Sequence, residues 1–332
     1  MEKKLTFEKV REFIDLEVDE FRLEDLRRKH GIAGDSSVFY TSMTRLTQDR
    51  TIKRIGRGLY RKVKKVKPVK VFGRERRPEV KLNPPIDRET LEPLDFFDDI
   101  TFRAGDFILL SGYKNKGKTA LSLNLIAENL DMNPLLMGNE YTIAGKDGEY
   151  EVAPRMANRF DSMDWVQWTN GDGEERVELL PVYQDYEDNI LPGRLNVIDW
   201  INIPGEYYMI SPLSEALKKA VGDGLLVGVL QKNPDNKYGR GGNPSKDFAD
   251  VELLLDPYGE DRDLVKLTVE TVKESRRPVM GKTFVYRIKR GVEIVDFREV
   301  VKCSQCYGKG WRQNRPCDNC NKLGYIDKPL NV

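Results

Sequence analysis

The chain has 332 residues, long for one domain and suited to two or three. Hydrophobic residues make up 39%, enough for a sizeable core, and charged residues 33%, a share typical of a soluble protein. No apolar run reaches the length of a membrane span, and the N-terminal MEKKLTFEKV lacks a signal-peptide centre, so a cytoplasmic protein is expected. The net charge of +1 hides an asymmetry. Residues 1–81 hold 23 Lys and Arg against 13 Asp and Glu, net +10, which leaves 32 against 41, net −9, for the rest. Basic charge at one end suggests a polyanion-binding module on an acidic body, with a merely solvated basic tail as the alternative.

Apolar residues recur at helical spacing over 5–18, a second short helix runs over 21–30 to Gly31, and a third over 36–48 takes Asp35 as its N-cap. Residues 51–63 alternate as two strands about a Gly-Arg-Gly turn. Three helices and a hairpin resemble a winged helix-turn-helix domain, placed over 1–65. That resemblance implies duplex DNA at the third helix, where Ser37, Tyr40, Thr41, Thr44, Arg45 and Gln48 are the polar candidates. It also implies backbone or minor-groove contacts from Arg54, Arg57 and Arg61 on the wing. A purely protein-binding winged helix stays open. Residues 66–95 are basic at first, contain five prolines and hold no period, so they read as a semi-rigid linker.

Strands and helices alternate over 96–298, which predicts an α/β core around a mostly parallel sheet. Its strongest motif lies between an apolar strand ending at Gly112 and a helix starting at Lys118. Gly112, Tyr113, Lys114, Asn115, Lys116, Gly117, Lys118 and Thr119 match G-x-x-x-x-G-K-S/T without a mismatch. Such a loop turns backbone N–H groups inward around phosphates, with a helix N-terminus behind them. ATP is therefore the expected ligand. Lys118 would reach the β and γ phosphates, and the Thr119 hydroxyl would ligate Mg²⁺. Further strands are expected at 134–140, 195–199, 225–231, 251–256, 264–272 and 283–288, the later ones antiparallel, with helices near 153–163 and 213–221. Asp199 ends an apolar strand in the Walker B pattern and would hold Mg²⁺ through water. Glu140 ends another strand and could activate the attacking water.

The order of Glu140, Asp199 and Gln231 after the phosphate loop resembles the RecA-like ATPases, including RecA recombinases and DnaB-type helicases. The resemblance implies that Glu140 is the catalytic carboxylate and Gln231 the polar sensor of the γ-phosphate. It also implies that the glycine-containing loop 233–246 faces single-stranded DNA, with Lys232, Lys237, Arg240 and Lys246 as phosphate contacts. Residues 272–281 are similar to a DnaB-type segment that reaches the neighbouring subunit's γ-phosphate, which maps onto Lys273 and either Arg276 or Arg277. One extra residue separates Lys from Arg here, and a basic hairpin is the alternative. The N-terminal helical collar usual in DnaB helicases is not seen, which leaves room for a viral or plasmid relative.

All four cysteines fall in one cluster, Cys303, Cys306, Cys317 and Cys320, as C-x2-C, ten residues, C-x2-C. This is the spacing of a tetrahedral Zn²⁺ site, and metal would fold a segment too short for a core of its own. The first half resembles one C-x-x-C-x-G-x-G repeat of the DnaJ zinc domain; the second lacks the first glycine. Lys309, Trp311, Arg312 and Arg315 could stack on and pair with nucleic acid, or be a stabilising aromatic among solvated charges. The single histidine, His30, reads as structural.

The expected architecture is thus an α/β, RecA-like P-loop core with a mostly parallel sheet (96–298), a small α+β winged helix (1–65), a linker (66–95) and a zinc ribbon (299–328). The expected function is an ATP-hydrolysing, helicase-like motor that uses ATP, Mg²⁺ and structural Zn²⁺. It would act on DNA as a homo-oligomer, a hexamer first. The alternatives are a recombinase-type filament protein and an ATP-switched DNA-binding regulator.

Overall fold

A computed structural model describes residues 5–64, 67–69, 71–73, 78–138, 140–146, 149–203, 210–233, 238–240, 242 and 247–329. The chain divides into two compact units, Met1–Glu75 and Arg76–Val332. Among the described residues no helix is long and apolar enough to cross a membrane.

In the first unit Thr6 Oγ1 accepts from the Lys9 N–H and starts helix α1 (Phe7–Asp15). Strand β1 (Glu20–Arg22) leads into α2 (Leu23–Lys29), then come α3 (Ser37–Gln48) and a hairpin of β2 (Ile52–Gly56) and β3 (Leu59–Lys62). The three strands pair antiparallel in the order β1-β3-β2. Val10, Ile14, Leu26, Phe39, Leu46 and Ile52 form the core. Two details differ from the sequence expectation. Phe21 and Arg22 belong to a strand and not to the second helix, because buried Phe21 between exposed neighbours follows the period of two that pairing with Tyr60 and Leu59 requires. The third helix is capped by Ser36, whose Oγ accepts from the Phe39 N–H at 3.3 Å, and not by Asp35. His30 stacks on Phe13 with ring centroids 3.8 Å apart.

The second unit is a ten-stranded sheet. Its strands are β4 (Phe107–Gly112), β5 (Leu135–Met137), β8 (Glu178–Leu180), β9 (Leu195–Ile198), β10 (Leu225–Gln231), β11 (Val251–Pro257), β12 (Leu264–Val272), β13 (Thr283–Lys289), β14 (Glu293–Lys302) and β17 (Tyr325–Asp327). A small exposed hairpin of β6 (Thr142–Ala144) and β7 (Tyr150–Val152) stands outside it, as does a second pair, β15 (Trp311–Arg312) and β16 (Arg315–Pro316). The order is β17-β14-β13-β12-β11-β4-β10-β9-β5-β8. From β11 to β8 the pairs are parallel, and from β11 through β12 to β17 antiparallel. This is the α/β class with a mostly parallel central sheet. Period-two alternation splits β4 between the two faces. Ile108 and Leu110 pack with Leu121 and Leu125 of α4 (Lys118–Ala127), while Phe107 and Leu109 pack with Ile210 and Leu217 of α6 (Ile210–Ala220). A further helix, α5 (Pro154–Ser162), begins with proline at its first turn.

The proline-rich stretch expected to be a linker is, from residue 78 onward, built into this unit. The Val80 N–H donates to Phe102 O, Leu82 and Leu94 are buried, and the Asp87 carboxylate accepts from the Glu89, Thr90 and Phe297 N–H groups at 2.7 to 3.1 Å. The Pro78 and Pro85 carbonyls accept from the Ala104 and Leu94 N–H groups, and Pro93 bridges to Ile86. At the other end β14 runs through residue 298, and β17 pairs with it, so the four-cysteine segment is a loop between two strands of the main sheet. Asp87→Ala is expected to lower the stability of this unit by about 1–3 kcal/mol through the orphaned backbone donors, read as a lower urea midpoint. A free tether would show no change.

Candidate nucleotide-binding site and metal centre

The phosphate loop hangs between β4 and α4 and is shaped by close approach. A Cβ on Gly112 would lie 2.8 Å from Leu255 O of β11. Gly117, at φ +71°, caps α4, and a Cβ there would lie 2.2 Å from Ile288 Cδ1 of β13. Asn115 also takes a left-handed φ of 60°. The first N–H groups of α4 therefore face the loop without a capping side chain, the arrangement that binds phosphate. Lys118 Nζ donates to Tyr113 O at 2.6 Å across the loop. Burial pulls its ammonium down to about 8, while the Asp199 and Glu140 carboxylates act to hold the proton on. Lys116 Nζ reaches Arg262 O at 2.7 Å and so ties the loop to the antiparallel strands.

Strand β10 lies between β4 and β9, with Gln231 in register with Gly112. Asp199 follows β9 directly and is buried. Burial pushes its carboxyl up; the Thr119 and Tyr141 hydroxyls, which hydrogen-bond to it, and the Lys118 charge pull it back toward ionisation. Burial and the neighbouring Asp199 charge push the Tyr141 hydroxyl well above its usual range, so it remains a donor. The Asp199 Oδ2 atom has no hydrogen-bond partner among the described residues. A buried carboxylate oxygen without a partner, beside a threonine hydroxyl, fits a hard divalent cation. The Asp199–Trp200 peptide is cis.

These groups line one cavity of about 580 Å³. Of the expected residues, Lys114, Asn115, Lys116, Gly117, Lys118, Thr119, Glu140, Asp199 and Gln231 border it, while Gly112 and Tyr113 frame the loop behind it. Glu140 is exposed and lies three residues past the end of β5. The sequence reading missed Tyr141, Arg159 of α5, and Arg262, Asp263, Lys289 and Arg290 on the opposite wall. One local signal existed: Gly138, where a Cβ would meet Asp199 O at 2.3 Å, marks the close crossing beside Tyr141.

Other expected residues stand elsewhere. Lys273 pairs with Asp250 at 3.1 Å, Arg276 with Glu79 at 2.7 Å and Arg277 with Asp99 at 2.6 Å, all outside the cavity. Lys232, expected to contact DNA, is instead 5% exposed, ion-paired with Asp256 and set over the Tyr113 ring. It follows the last residue of a buried strand, and its charge is satisfied internally. Arg240 is half-buried, its N–H donating to Gln231 O at 2.8 Å. Lys237 and Lys246 lie outside the described residues. In the first unit Ser37, Tyr40, Thr41, Thr44, Arg45 and Gln48 are all exposed along α3, and Arg54, Arg57 and Arg61 are exposed on the hairpin.

The four cysteines are buried together, with all four sulfurs within 4.8 Å of one another. Cys303 and Cys317 Sγ lie 3.8 Å apart, and Cys306 and Cys320 Sγ 3.6 Å apart. A zinc ion with four bonds of about 2.3 Å in a tetrahedron would separate its sulfurs by about 3.8 Å. The Gly310 N–H donates to Cys306 Sγ at 3.3 Å, the Gly324 N–H to Cys320 Sγ at 3.2 Å and the Asn319 amide to Cys303 Sγ at 3.2 Å, stabilising thiolates. The donor set fits zinc.

No protein-family model matches the chain, and no curated protein matches it. Among solved structures it is similar to the crystal structure of the RadB recombinase, at 15% identity over 58% of this chain and 91% of that one, with a TM-score of 0.39. It is also similar to a KaiC-like protein from the hyperthermophilic archaeon Pyrococcus horikoshii, at 16% identity over 66% and 99%, with a TM-score of 0.46.

Metal analysis of the purified chain is expected to return one zinc per molecule, and Cys317→Ser to abolish it. Tyr141→Phe, which removes a hydroxyl from Asp199, should raise the Mg²⁺ concentration needed for half-maximal nucleotide binding about tenfold, measured by titration with a fluorescent ATP analogue.

Proposed function

We propose that the chain is a RecA-like P-loop ATPase that acts on nucleic acid as an oligomeric, helicase-like motor. The observation that carries this reading is the position of β10. It lies between the phosphate-loop strand and the Asp199 strand, and its last residue, Gln231, borders the same cavity as Lys118, Thr119, Glu140 and Asp199. The chain then passes straight into residues 233–246, so a side chain at the phosphate cavity is joined covalently to a glycine-containing segment. That connection is what a motor needs to convert hydrolysis into movement of a binding segment.

In this reading Lys118 and the α4 N-terminus hold the phosphates, and Thr119 and Asp199 hold Mg²⁺, directly and through water. Bound Mg²⁺ would neutralise charge developing on the transferred phosphoryl group. Glu140, exposed at the cavity, orients and deprotonates the attacking water. Lys273 with Arg276 or Arg277 serves a neighbouring subunit's site, exchanging intramolecular partners for phosphate on assembly. The α3 face and the arginine-bearing hairpin of the first unit support a winged helix that binds duplex DNA. The sulfur cluster supports a structural zinc ribbon.

The test is steady-state ATPase activity with and without single-stranded DNA, duplex DNA and RNA. Stimulation of several-fold by one single-stranded species is expected, and Lys118→Ala should remove turnover altogether. A rate indifferent to every nucleic acid would sink the motor reading. Tight duplex binding without stimulated turnover would favour an ATP-switched regulator instead.

A further inference from the structure

We propose that the four-cysteine knuckle carries a binding surface for single-stranded nucleic acid, built from Trp311, Arg312, Arg315 and Lys322. Several arginines in the body of this unit are paired with carboxylates: Arg103 meets Glu274 at 2.7 Å, Arg194 meets Glu178 at 2.8 Å and Arg287 meets Asp261 at 2.7 Å. On the knuckle, Arg312 and Arg315 are exposed and have no carboxylate partner among the described residues. They also face each other directly across the β15–β16 pair, either side of a tight turn at Gln313 and Asn314, whose φ values are 49° and 59°. Like charges opposed on neighbouring strands repel, and an anion laid between two guanidinium groups turns that repulsion into recognition.

An aromatic residue adjoins Arg312 in the chain. Trp311 is 51% exposed on the same two-residue strand as Arg312, and Lys322 Nζ lies 5.9 Å from its ring centroid. Lys322 itself sits at φ 68°, in the left-handed region, at the place in the second half-knuckle where the first half has Gly308 at φ 85°. A lysine held where glycine is the unstrained choice brings a cation to the indole at a conformational cost, an outlier that points to use. An exposed indole with a lysine over its ring, next in the chain to an opposed arginine pair, matches the chemistry of a strand with free bases: base on indole, phosphates on Lys322, Arg312 and Arg315. A duplex keeps its base faces stacked and offers only the phosphates. Because β14 and β17 anchor the knuckle in the sheet and its sulfurs are cross-braced, the surface is preorganised before any strand arrives. This surface shares no residue with the nucleotide cavity, so it stands whether or not hydrolysis drives movement.

The first unit is basic as well, so the test reads the knuckle locally. With the full zinc-loaded chain, a short oligothymidylate or oligouridylate should slow zinc extraction by a chelator, and whichever protects better identifies DNA or RNA as the source. Arg312→Ala/Arg315→Ala should lose that protection while still binding one zinc. By fluorescence anisotropy its slope of log affinity against log salt should fall by about 1.4, from two lost phosphate contacts. Trp311→Ala should weaken binding about fivefold or more. Lys322→Gly, which relieves the strained backbone and so keeps the fold, should also reduce protection. Zinc extraction unchanged by either oligonucleotide overturns the proposal. So does equal protection by a duplex that is indifferent to Trp311→Ala.

Discussion

The buried contact of Asp199 with Thr119 and Tyr141 is the constraint on which the site depends. A carboxylate is costly to bury, and here two hydroxyl donors and the Lys118 ammonium offset that cost without using every oxygen lone pair. The contact joins three elements that are remote in sequence: the end of β9, the first turn of α4 and the turn after β5. Gly138 permits the crossing, since any side chain there would strike Asp199. The phosphate loop, Asp199 and Glu140 are thus gathered around one cavity before any ligand is present.

The antiparallel half of the sheet has two duties. Ile288 of β13 sits on Gly117, and Arg262, Asp263, Lys289 and Arg290 form the far wall of the cavity, so the nucleotide would lie between the parallel and antiparallel halves. The same strands continue into β14 and β17, which carry the zinc knuckle. A metal ion held by the four cysteines would not fold an independent body; it would brace a loop of the main sheet. Charge follows this architecture. Carboxylates of the second unit pair with Lys232, Lys273 and Arg277, while among the described residues none pairs with Arg312 or Arg315 of the knuckle.

Local spacing alone determined much of this protein. The phosphate loop, the four-cysteine cluster, the apolar strands and the amphipathic helices are patterns over a few consecutive residues, and each forms where its pattern lies. Boundaries failed where a longer-range partner decided them. Phe21 became a strand because Tyr60 lies across from it, and the proline-rich stretch after residue 78 became structure because Phe102 and Phe297 present backbone groups to it. Only the tertiary structure placed β10 between β4 and β9, brought Tyr141 onto Asp199, buried Lys232 against Asp256 and set Lys322 beside Trp311. Those outcomes depend on which strand pairs with which and on burial created by that pairing. A composition or a period cannot encode them, because the free energy that selects them exists only once distant segments meet.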